Sequence, residues 1–240
     1  MHAADAAASV HRLARAFARA ADRTPALVYA AAVVPVAVVV VAVATQPWMP
    51  PTDLVRDSQA VAALRGSART TNGLVSNLGI LVMAVAAGAA SVAAAAAPRR
   101  GDRLRPALAW ASGLTVAVAL DDLLLLHEGA TIAAWMPKLI VVTYAAAFVG
   151  CLWRFRVEIL RHLDVGLLAI AMLALGTSAI VDAFAAPATV ASVLVEDAAK
   201  LLGFTAWSVF LVRGALIALR PRADTAGTDS APRAMADVAR

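Results

Sequence analysis

This 240-residue chain has a single cysteine, two lysines and two tyrosines. One cysteine, Cys151, excludes an internal disulfide and a multi-cysteine metal site, which leaves it a packing role. Aromatic residues make up 5% and charged residues 15% of the chain, too little charge for a solvated surface of ordinary extent. No HExxH, HxxxH or phosphatase-like Arg/His signature occurs, and no internal repeat supports an inverted-repeat transporter. The net charge of +5 invites a nucleic-acid reading. That partner is excluded, because the arginines gather in short segments between apolar runs.

What is abundant is apolar: 62% of the residues, with mean hydropathy +0.78. Runs of roughly 20 apolar residues match the length needed to cross ~30 Å of hydrocarbon. Six spans are expected, at 26–46, 74–97, 106–127, 138–155, 164–185 and 189–218. The fold class is therefore all-α, a polytopic membrane helix bundle. Residues 27–44 ending in Ala42-Val43-Ala44 imitate a signal peptide, but the run reaches full span length and reads as an uncleaved anchor.

Orientation follows from the cations between spans. Fourteen arginines fall on one side: Arg12, Arg15, Arg19 and Arg23, the 98–105 and 154–162 connections, and Arg213, Arg220 and Arg222. The other side has Arg56, Arg65, Arg69 and Lys138. The expectation is both termini in the cytoplasm (N-in/C-in) of a bacterial cytoplasmic membrane, since high Ala and Arg with scarce Lys fits a GC-rich bacterial genome. Residues 1–25 form a basic amphipathic segment, with a helix over 3–22, and 26–218 form the transmembrane domain. The external loop, 47–73, carries a short amphipathic segment over 52–70, and 219–240 read as a disordered cytoplasmic tail.

Nine ionisable residues sit in or at the rims of the apolar helices, and this topology sends all nine to the outer side: Asp121, Asp122, His127, Glu128, Lys138, Asp182, Glu196, Asp197 and Lys200. A charge inside a bilayer is costly unless paired or wetted, so such residues mark candidate sites. Asp121, Asp122, Glu196, Asp197 and Lys200 lie deepest and form the expected ion, proton or ligand site. His127, Glu128, Asp182, Lys138, Asn77, Ser76 and Tyr144 support it. Glu196 and Lys200 are four apart, acid first, which predicts a salt bridge along one helix and leaves Asp197 to face the third span.

Three functions fit. The first is proton- or cation-linked transport or small-ligand binding, with titratable acids and a lysine as relay. The second is a membrane-embedded enzyme acting on a lipid or lipid-linked substrate. In it Asp121, Asp122, Glu128 and Asp197 would hold Mg²⁺ or Mn²⁺ through hard oxygen ligands. The third is a non-catalytic assembly partner, either a homo-oligomer or a subunit beside another membrane protein, packed through the Gly/Ala-rich second span. The plain alternative is structural: acids and lysines neutralise each other and fix helix register, while rim residues face water.

Glu196-Asp197-Ala198-Ala199-Lys200, with Gly203 and Phe204 following, locally resembles the retinal-lysine helix of microbial rhodopsins. There an acid four residues before the lysine is the counterion. Some ten residues carry this resemblance. Six spans, the N-in orientation and the lack of an Arg-x-x-Asp-Trp-like segment depart from that family.

Overall fold

The computed structural model describes residues 24–97, 104–126, 135–184 and 189–220. The N-terminal helix expected over 3–22, His127 and Glu128, and all of the tail beyond Arg220 lie outside the described residues. Within them the chain is helical and has no strand.

The elements in order are α1 (Ala26–Thr45), α2 (Pro51–Val55), α3 (Ser58–Arg65), α4 (Leu74–Ala96), α5 (Leu104–Leu124), α6 (Met136–Arg154), α7 (Arg156–His162), α8 (Val165–Phe184) and α9 (Val190–Leu219). Five of them, α1, α4, α5, α8 and α9, are long and apolar enough to cross a membrane. The count rises to six if α6 and α7, bent by 67° at Phe155, are taken as one broken span. The 154–162 segment, expected as a plain connection, is thus mostly helical.

Local chemistry explains the boundaries. After α1 the Gln46 side chain organises the turn: its Oε1 accepts from the backbone N–H groups of Trp48 (2.8 Å) and Met49 (3.2 Å), and its Nε2 donates to the Met49 carbonyl at 2.7 Å. Thr189 and Ser192 close a reciprocal capping box at the start of α9. At the end of α5 Leu125 adopts the left-handed region (φ 51°), and the Leu126 N–H donates to the Asp121 carbonyl at 3.1 Å. This is a six-to-one helix stop of the kind usually made by glycine.

Helix α9 is the centre of the bundle. It packs most extensively on α8 and α4, then on α1 and α5, while α6 stands at the periphery against α5. Gly203 makes the α8–α9 approach feasible, because a Cβ there would lie 2.5 Å from the Leu175 side chain. The main core joins Trp207, Phe210 and Leu211 of α9 to Leu108 of α5, Leu167 of α8 and Ala86, Ala90 and Ala93 of α4. Phe148 of α6 meets the Trp207 ring at 4.9 Å. Polar groups inside the bundle are satisfied between helices: Trp207 Nε1 donates to Thr115 Oγ1 (2.8 Å), Ser91 and Ser112 share a hydrogen bond (2.6 Å), and Ser112 donates to the Ala87 carbonyl (2.8 Å). Large apolar side chains such as Val85, Val92, Val142, Val149 and Leu173 are exposed, which is compatible with helices facing lipid.

Candidate functional site

Asp121 and Asp122 occupy the last turn of α5, both buried. A helix C-terminus carries partial negative charge, so a carboxylate there needs a cation. Lys200 of α9 supplies it, its Nζ lying 2.5 Å from Asp122 Oδ1 with the side chains 22% and 5% exposed. The ammonium also lies 5.9 Å from the centre of the Phe204 ring. Asp57 and Asp197 add their negative charge around it. Lys200, expected to pair along α9 with Glu196, makes an ion pair between helices with Asp122. The physical reason for the pair is burial: Asp122 is nearly solvent-free and would be costly to leave without a cation.

The segment between α1 and α4 covers this cluster. Ser76 of α4 donates to Asp57 just before α3. Gln59 of α3 donates through Nε2 to the Leu123 carbonyl at 3.0 Å, satisfying a free carbonyl at the end of α5. Gly73 lets the segment sit close: its φ is +64°, and a Cβ would lie 2.4 Å from the Ser58 nitrogen. A cavity of about 300 Å³ lies between this segment, α8 and α9, lined by Arg56, Asp57, Ala60, Val181, Asp182, Ser192, Val193, Glu196, Asp197 and Lys200. Its charged wall has four carboxylates and two cations. Met83, Ala119 and Phe204 pack together as an apolar cluster at the next turn of α9 after Lys200.

The structure therefore brings Asp122, Glu196, Asp197, Lys200 and Asp182 together, with Ser76 attached through Asp57. Asp121 acts electrostatically on Tyr144 of α6, whose hydroxyl reaches the Ala117 carbonyl at 3.5 Å. Asn77 is exposed on α4, and Lys138 is exposed at the start of α6. Among the described residues no group of three or more His, Cys, Asp or Glu is placed to hold a metal ion. Of the set proposed for Mg²⁺ or Mn²⁺, Glu128 lies outside the described residues and Asp122 is engaged by Lys200.

Two features escaped the sequence reading. Arg56 and Asp57 belong to the cavity, although in sequence they are ordinary loop charges. Asp164, before α8, is buried and pairs with Arg213 of α9, and Thr24 donates to its Oδ1 at 2.7 Å. The available signal was Asp164 standing directly against an apolar run that begins with Val165.

The fold defines a class: an all-helical protein with five to six helices apolar enough to span a membrane. Over residues 12–213 the chain matches the family described as a domain of unknown function, DUF8692, and it belongs to that family. Comparison with curated proteins and with solved structures gave no match.

Proposed function

We propose that this is a multi-pass protein of a bacterial cytoplasmic membrane, N-in and C-in, whose cavity opens outward and binds a proton or small cation in transport or ligand binding. The carrying observation is the Lys200–Asp122 pair between α9 and α5 at the edge of a cavity richer in carboxylates than in cations. The Lys200 ammonium holds at Asp122 the place of a cation. A cation entering among Asp57, Glu196 and Asp197 competes with it, and a proton on Asp122 removes its partner. Either event frees Lys200 to change position, which is the elementary step a coupled carrier or receptor needs. The fourteen-to-four distribution of cations supports the outward orientation.

Cation binding to the folded state stabilises it by RT ln(1 + c/Kd) at free cation concentration c, and so raises the unfolding temperature as c rises. Alkali cations, ammonium and small amines, screened at constant ionic strength, are expected to include one that stabilises the wild type and fails to stabilise Asp197→Asn. Equal shifts in both proteins, or none in the wild type, would sink the cation reading. Orientation is read from Ser67→Cys in intact cells: an impermeant maleimide labels it if the segment is external, and leaves it unlabelled if the topology is inverted.

A further inference from the structure

A second cavity of about 300 Å³ lies on the same segment and is lined by Pro50, Asp53, Arg65, Ser67, Arg69 and Asn72. It shares no lining residue with the cavity beside Lys200. Its rim is built. Arg65 is held by two hydrogen bonds to Asp53, Nε to Oδ2 and Nη2 to Oδ1, each 3.0 Å. The Gly73 N–H donates to the Asp53 carbonyl at 2.9 Å, which ties this carboxylate-bearing turn to the start of α4. Asn72, buried, closes the loop on itself: its N–H donates to the Arg69 carbonyl (3.1 Å) and its Nδ2 to the Ser67 carbonyl (3.4 Å).

The charges in this cavity do not cancel. Asp53 neutralises Arg65 and occupies two of its five N–H donors, leaving three for another acceptor. The Arg69 guanidinium makes no hydrogen bond or ion pair with any described residue. The cavity thus offers one uncompensated cation beside a fixed guanidinium, with the Ser67 hydroxyl as a further donor. That donor set matches an oxyanion with several acceptor oxygens, and arginine forks match phosphate in particular. Two very exposed apolar side chains flank the walls in sequence: Trp48 (84%), two residues before Pro50, and Leu64 (69%), next to Arg65. Trp beside prolines at the end of an apolar helix sits at the headgroup level. The sequence also keeps cations scarce on this proposed outer face, yet three of its four, Arg56, Arg65 and Arg69, are concentrated in this one segment.

We infer that the Arg65–Arg69 cavity is a phosphate-binding site whose ligand is an anionic phospholipid headgroup or a soluble phosphate ester, anchored by Arg69 and oriented by Arg65. Lipid is the source favoured by Trp48 and Leu64, exposed apolar side chains that neighbour the lining residues in sequence and could contact acyl chains. The site stands whether or not the cation site beside Lys200 functions.

The test uses the full chain in neutral detergent, with bound lipid counted by native mass spectrometry. Phosphatidylglycerol and a diacylglycerol of the same chains are added in parallel, with sn-glycerol 3-phosphate as soluble competitor. The wild type is expected to retain phosphatidylglycerol over diacylglycerol. Arg69→Gln, an exposed change that leaves the Asp53–Arg65 pair intact, is expected to weaken retention on the order of tenfold. Arg69→Lys is expected to keep part of it. Adducts displaced by glycerol phosphate, or glycerol phosphate retained by the wild type and lost in Arg69→Gln, identify the soluble source. Equal retention of phosphatidylglycerol and diacylglycerol, or of phosphatidylglycerol by wild type and a folded Arg69→Gln, overturns the site.

Discussion

At the scale of single residues, the Lys200–Asp122 pair sets the largest expected energies. Two charges taken out of water cost several kcal/mol each, and only close mutual contact repays that cost. Removing one partner strands the other. Lys200→Met is therefore expected to destabilise the protein by about 3–5 kcal/mol, read by unfolding in detergent. Lys200→Met combined with Asp122→Asn should recover most of that loss, because no unpaired charge remains. A double variant as unstable as the sum of the two singles would show that the residues are not coupled. Both residues were legible in the sequence as ionisable groups in apolar runs. Their pairing was not, because sequence spacing points to Glu196 on the same helix and only the α5–α9 approach brings Asp122 within reach. Asp164 was illegible for a related reason. A carboxylate at the edge of an apolar run is ordinarily solvated, and only the fold shows Thr24 and Arg213 closing over it.

At the scale of elements, helix existence followed from apolar length, while ends and connections followed from chemistry that is only partly visible in sequence. The expected spans 26–46 and 74–97 correspond to Ala26–Thr45 and Leu74–Ala96 almost residue for residue. The fourth span departs from expectation at Phe155, where α6 stops and α7 turns away by 67°. Arginines on either side of Phe155 made this stretch read as a loop. Arg154 lies over the Phe155 ring (5.2 Å) and Arg156 over the Trp153 ring (4.7 Å), contacts that accompany the break. The end of α5 holds a local cost. Leu125 sits in the left-handed region, which disfavours a residue with a Cβ by roughly 1–2 kcal/mol. Leu125→Gly should relieve part of that cost and raise the unfolding temperature, even though it removes a buried side chain. An unchanged or lower unfolding temperature would mean that the leucine's packing outweighs its backbone strain.

At the scale of the whole molecule, α9 links both buried ion pairs. Lys200 and Arg213 are thirteen residues apart, about 20 Å along a helix. One pair ties α9 to α5 and the other ties it to the segment before α8, with the Trp207 and Phe204 layers between them. An unbroken 30-residue helix fastened at two levels would move as a rod, so under the proposed function a change of partner at Lys200 would be carried towards Arg213. The proposed outer placement of the acidic cluster rests on counting arginines, and its expected membership on the depth of each residue in its span. The segment over 52–70 was legible as an amphipathic stretch, but the place of Arg56 and Asp57 beside Lys200 was not, because only the fold shows Ser76 and Gly73 seating them there. The most direct test is the internal pH of proteoliposomes after an external acid pulse, reported by a trapped dye under a potassium–valinomycin clamp. The account predicts proton or cation-coupled proton movement through the wild type that is lost in Asp122→Asn reconstituted to the same density. Equal fluxes in the two proteins, or a wild type no more permeable than empty liposomes across the cations screened, would contradict it.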